Sequence, residues 1–147
     1  MTTKTRNIII WVLLAVLMLG MIGTAAKVNE LDTTAEVSWM MYRVGALDEE
    51  GEFEETDIAI YTKDMIPVDG LVCEIAKKAD IEYKVYFYDE DKDFLSASVM
   101  LTTDLIATEI PADAEYCRIV ITPLDGDEVS IFDIRTLAAD LAVSYNR

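Results

Sequence analysis

The sequence predicts an all-β fold, an antiparallel β-sandwich preceded by one N-terminal hydrophobic helix. Three observations predict it. Ile81 to Tyr88 alternates strictly, with Ile81, Tyr83, Val85 and Phe87 on one parity and Glu82, Lys84, Tyr86 and Tyr88 on the other. That is the period of a strand buried on one face. Seven or eight such short runs follow one another, separated by turn formers, as in sandwiches. Ahead of them stands an apolar run, Ile8 to Ile22, interrupted only by Gly20.

Taken in order, Lys4 and Arg6 precede that run, and Gly23-Thr24-Ala25-Ala26 follows it. A basic start, an apolar middle and small residues at its end fit a cleaved secretory signal. They fit an uncut anchor equally: residues 8–26 would span about 28 Å as a helix, close to the hydrocarbon thickness. Either way the positive end stays in the cytoplasm and the remainder goes out. The organisation expected is therefore residues 1–26 as signal peptide or transmembrane anchor, 27–36 as tether and 37–147 as an extracytoplasmic sandwich. The protein is then held in the plasma membrane by its N-terminal helix, or secreted.

Residues 36–44, with Val37, Trp39 and Met41 against Met40, Tyr42 and Val44, read as a first strand. Residues 47–57 carry Asp48-Glu49-Glu50-Gly51-Glu52 and Glu54-Glu55, an exposed acidic loop. Residues 58–62 form a short strand. Pro67 and Gly70 delay the next one to Leu71, after which Leu71, Cys73 and Ile75 share a face. Asp89 to Asp93 breaks the central run into a hairpin, and Phe94-Leu95 resumes it. Residues 105–110 read as a short strand. Cys117, Ile119 and Ile121 then lie opposite Tyr116, Arg118 and Val120. Residues 129–134 read as a strand, 136–139 as a helical turn and 141–145 as the last strand.

Composition narrows the chemistry. Beyond position 26, ten basic residues stand against 28 acidic ones, a net charge of −18. Such a surface repels phosphate backbones, so no nucleic-acid partner is expected. There is no histidine, which removes the commonest general base at neutral pH and the commonest transition-metal ligand. No nucleophile elbow or phosphate loop is present, and no carboxylate pair stands out for acid–base work. A non-catalytic protein is expected.

Tyr83-Lys-Val-Tyr-Phe-Tyr-Asp-Glu-Asp-Lys-Asp-Phe-Leu-Ser96 and Ile110-Pro-Ala-Asp-Ala-Glu-Tyr-Cys-Arg-Ile-Val-Ile-Thr-Pro123 resemble segments of galactose-binding-like modules of secreted bacterial and phage tail proteins. The resemblance covers about two fifths of the chain. It implies a jelly roll, and sugar or cell-surface binding by analogy of fold. The chain departs from the pattern in one respect: Trp39 is the only Trp outside the apolar segment, and Asn is scarce.

Three groups of residues are candidates for sites. Tyr86 and Tyr88, with Tyr116 and Arg118 if the later strand shares their face, would offer aromatic planes beside a forked donor, suited to a glycan or a peptide. Trp39 is an outlying member of that set. Asp89, Asp91 and Asp93 alternate in a turn and suggest a loose calcium site, the only cofactor considered; Asp125, Asp127 and Glu128 repeat the suggestion. Cys73 and Cys117 either form one disulfide across the core or remain two buried thiols. The function expected is an extracytoplasmic binding module for a cell-surface glycan, or a membrane-anchored structural or protein-interaction subunit that meets an envelope protein. N-terminal sequencing of the chain from its native host tests the first segment: an uncut anchor leaves the original N-terminus on a protein that resists alkaline extraction from membranes.

Overall fold

A computed structural model describes residues 34–146. The apolar segment 1–26 and most of the expected tether lie outside the described residues. Among the described residues, no helix is long and apolar enough to cross a membrane. The chain runs β1 (Thr34–Glu36), a 3-10 turn at Trp39–Met41, β2 (Tyr42–Val44), β3 (Ala46–Leu47), β4 (Phe53–Glu54), β5 (Ile60–Thr62), β6 (Ile66–Pro67), β7 (Val72–Ile75), β8 (Ile81–Tyr88) and β9 (Phe94–Ala97). A second 3-10 turn at Ala107–Glu109, β10 (Tyr116–Pro123), helix α1 (Ile134–Asp140) and β11 (Leu141–Asn146) complete it. All strand pairings are antiparallel.

The strands form a six-stranded sheet, β2-β5-β10-β8-β9 with β6 also on β10, a three-stranded sheet, β1-β11-β7, and a two-stranded ribbon, β3-β4. The two larger sheets share one core. Tyr83, Val85 and Phe87 of β8 lie across from Ile121, Ile119 and Cys117 of β10. These six pack with Ile60, Ile66 and Tyr42 of the same sheet and with Cys73, Leu141 and Val143 of the other. Alternation is the cause: each strand turns its apolar parity inward, and burial of one such side chain is worth about 1.5–3 kcal/mol.

Between β5 and β6 the strand beside β10 is interrupted. Thr62, the last residue of β5, is fully buried beside the interruption, and its Oγ1 accepts the Ile119 N–H at 2.9 Å. A side chain there does what a ladder carbonyl does elsewhere.

Several elements differ from the sequence expectation. Thr34–Glu36, expected in the tether, pairs with Ser144–Asn146 as an edge strand. The expected strand over 36–44 is broken: the Ser38 hydroxyl accepts the Met40 N–H, Trp39–Met41 coils, and only Tyr42–Val44 is extended. Residues 105–110 do not pair as a strand. Instead Asp104 Oδ1 accepts the Ile75 N–H and Leu105 N–H donates to the Cys73 carbonyl, which covers the β7 edge. Residues 129–134 coil rather than extend, because the Ser130 N–H and hydroxyl both donate to Asp133, at 2.8 and 2.6 Å. The helical turn expected at 136–139 is the body of α1.

Thr62→Val tests the bridging role of the hydroxyl. It keeps the shape and strands a buried N–H, so a loss of about 1–3 kcal/mol is expected. A lowered denaturant midpoint at unchanged slope, restored by Thr62→Ser, is the readout.

Candidate functional site

The register brings the expected aromatic face together. Tyr116 lies opposite Tyr88, Arg118 opposite Tyr86 and Val120 opposite Lys84. A cation sits against each tyrosine ring. Lys84 Nζ is 5.1 Å from the Tyr86 centroid, Arg118 Cζ 5.8 Å from that of Tyr88, and Lys92 Nζ 5.7 Å from that of Tyr116. These are distances at which a ring face attracts a cation.

The face is closed, however. Residues 47–54, the first part of the exposed loop expected over 47–57, fold back with Ala46 as the β3-β4 ribbon and lie over it as a flap. The Tyr86 hydroxyl donates to the Leu47 carbonyl at 2.8 Å, and the Tyr88 hydroxyl donates to the Gly51 carbonyl at 2.7 Å. Leu47 is buried against the rings, with Ala59 and Val120. Tyr86 and Tyr88 are left 4% and 3% exposed. Tyr86 and Tyr88, expected as an open stacking surface, are thus covered by the flap, with their hydroxyls bonded within the chain. Tyr116 and Arg118 are half-buried beside them, and the Arg118 Nε is buried without a hydrogen-bond partner.

Gly51 permits the closure. Its φ is +77°, and a Cβ there would stand 2.7 Å from the Tyr88 hydroxyl and 2.8 Å from the Phe94 ring. Burial raises the Tyr86 phenol, and the flap carboxylates Asp48, Glu54 and Glu49 add to it. Burial likewise pushes Tyr88 up from 10.0 to about 12, against the opposing pull of Arg118.

The aspartates do not converge. Asp89 Oδ1 accepts the Asp91 and Asp93 N–H groups, both at 2.9 Å, so its carboxylate builds the turn. Asp125 Oδ1 accepts the Asp127 N–H in the same way. Among the described residues, no three acidic or thiol side chains are grouped to hold a metal ion. Asp89, Asp91 and Asp93, expected as a loose calcium site, are thus not gathered into such a group. Trp39 stands apart from the tyrosines, on the first 3-10 turn, and is 48% exposed.

Larger apolar groups that the sequence did not single out face solvent. Ile131 and Phe132 lead into α1 and are 70% and 85% exposed. Met40, beside Trp39, is exposed as well. Helix α1 packs against the Trp39–Met41 turn. The signal was available in Ile131-Phe132, an apolar pair between Ser130 and Asp133, but it reads equally as strand.

Comparison with family models, curated proteins and solved structures returned no match.

The flap gives a mutational and a pH expectation. Tyr88→Phe removes one closing hydrogen bond, so a loss of about 0.5–1.5 kcal/mol and faster amide exchange across residues 48–52 are expected. Gly51→Ala is expected to open the flap further, through both collision and backbone strain. In the unfolded chain Tyr88 ionises near 10.0, in the folded chain near 12. Between these values the unfolded state binds fewer protons, so stability falls as pH rises through that window. Alkaline titration should show phenolate absorbance and unfolding rising together there, with a smaller loss in Tyr88→Phe.

Proposed function

We propose that residues 37–147, with the strand that precedes them, form a jelly-roll-like sandwich akin to the galactose-binding-like modules. It works outside the cytosol as a non-catalytic binding module whose partner is an envelope protein rather than a glycan. The N-terminal apolar segment keeps it at the membrane. One observation carries the choice of partner: the aromatic side chains suited to a sugar are sealed under the chain's own flap, whereas Phe132 and Ile131, just before α1, and Trp39 and Met40, on the turn that α1 packs against, are exposed large apolar side chains. Exposed apolar groups of this size favour a protein contact. The strongly acidic remainder of the surface suppresses indiscriminate association and steers encounter with basic partners.

Site-specific photo-cross-linking of the full chain in its native host tests this reading. A cross-linker in place of Phe132 or Met40 should give a discrete protein adduct, and one in place of the exposed Lys77 should not. Absence of adducts at both positions, together with glycan-array binding that Trp39→Ala abolishes, would overturn it in favour of a sugar ligand.

A further inference from the structure

The chain has two cysteines, and the fold puts them on different sheets. Cys73 is on β7 of the three-stranded sheet, beside Val143; Cys117 is on β10 of the six-stranded sheet, beside Phe87 and Ile66. Both are fully buried, and both belong to the one core cluster that the sheets share.

Each lies next to a strand that reaches the corner joining the sheets. The chain leaves β6 and enters β7 through only four residues, 68–71. That corner is tied on both sides: Val68 N–H donates to the Glu115 carbonyl, just before β10, and Asn146 N–H donates to the Asp69 carbonyl from the end of β11. Gly70 has a φ of +61°, and a Cβ there would collide with the Asn146 side chain. β6 and β11 are in contact across the gap between the sheets. Cys117 is the partner of Ile66 on β6, and Cys73 the partner of Val143 on β11. Both thiols therefore face the shared core, each on the residue paired with β6 or β11, the two strands that meet at this corner.

We propose that Cys73 and Cys117 are joined as an inter-sheet disulfide in the mature protein, closed while the domain folds in an oxidising compartment. The inference rests on the extracytoplasmic placement given above, but not on the identity of the partner.

The structure holds both as free thiols. Closure removes two protons and two electrons from the pair. The oxidant is an external carrier disulfide, that of a disulfide-exchange protein or of oxidised glutathione. One cysteine thiolate attacks that disulfide and forms a mixed disulfide, releasing one carrier thiolate. The second cysteine thiolate then attacks the first cysteine's sulfur, forms the internal S–S bond and releases the other carrier thiolate.

The order of events follows from burial. Burial first, and Asp104 second, push the Cys73 thiol up to about 12. Burial also raises Cys117, and the neighbouring Cys73 raises it further. A sealed thiol that resists ionisation neither attacks a carrier nor is reached by one. The bond therefore forms before the core closes, and afterwards it is shielded from reductants.

Full-length protein taken from native-host membranes without reductant, then unfolded in guanidinium with iodoacetamide, reads the state directly. The expected result is no alkylation until reductant is added, two alkylated cysteines afterwards, and a cross-linked peptide pair joining Cys73 to Cys117. The denaturation midpoint should fall on reduction in the natural chain and be indifferent to reductant in Cys73→Ala/Cys117→Ala. Two alkylated cysteines without reduction would overturn the proposal, as would a disulfide between two chains. Refolding the reduced chain in a glutathione redox buffer locates the failure. If the pair does not close there, the inter-sheet pairing is wrong; if it closes there but is reduced in the cell, the extracytoplasmic placement is wrong.

Discussion

Eight consecutive residue pairs join β8 to β10, from Ile81↔Pro123 to Tyr88↔Tyr116. Every other part of the domain is arranged by that ladder. Its register turns Tyr83, Val85, Phe87, Cys117, Ile119 and Ile121 to one side, where the three-stranded sheet covers them. A slip of one strand by one residue would turn its apolar set outward and put Glu82 and Lys84 of β8, or Arg118 of β10, into the core. The ladder also fixes what the other side must be. Tyr86, Tyr88 and Val120 are brought together there with no second sheet to bury them, only the short ribbon β3-β4.

That ribbon is small for the surface it covers, and the tyrosine hydroxyls explain how it holds. A phenol buried under an apolar cover loses its water, which is costly unless another acceptor is found. The Leu47 and Gly51 carbonyls provide one for Tyr86 and one for Tyr88. The same two bonds fix the ribbon in place. Lys84 and Arg118 lie at the rings beneath, while Asp48, Glu49 and Glu54 bear on Tyr86 from above. The pairing of an acidic cover with a partly cationic floor gives the flap an electrostatic preference for the closed position, weak wherever water screens it.

The two central strands were legible because strict alternation over eight residues leaves only one face to bury. The shared face of Tyr86, Tyr88, Tyr116 and Arg118 was legible as a condition, and the β8-β10 register meets it. The closure of that face was not legible, although a trace of it is present. Asp48-Glu49-Glu50-Gly51-Glu52 and Asp89-Glu90-Asp91-Lys92-Asp93 are built alike: the first aspartate accepts N–H groups two and four residues on, and the fourth residue has positive φ. One reads as a hairpin because alternating strands flank it. The other reads as a loose loop because its strands are two residues each, too short for any period to show. The coiling at residues 130–133 and the covering of the β7 edge by Asp104 and Leu105 escaped for a different reason. Each depends on a side-chain hydrogen bond to backbone, a competition that apolar periodicity does not register.

The acidic turns also change what the charge of the chain signifies. Asp48, Asp89 and Asp125 each accept backbone N–H groups within their own turns. Their carboxylates stabilise sharp reversals, a local role that requires an oxygen at that position and no ligand. The glutamates and aspartates interleaved with them point to water. Part of the acidity that suggests cation binding in a linear reading is thus turn chemistry, and the rest is a solvated coat. Against such a coat, exposed apolar side chains such as Trp39, Met40, Ile131 and Phe132 stand out, Phe132 being the most exposed large apolar group among the described residues. A mutually repelling surface leaves few places where another protein can approach closely, and an apolar area beside α1 is one where like charge does not oppose it.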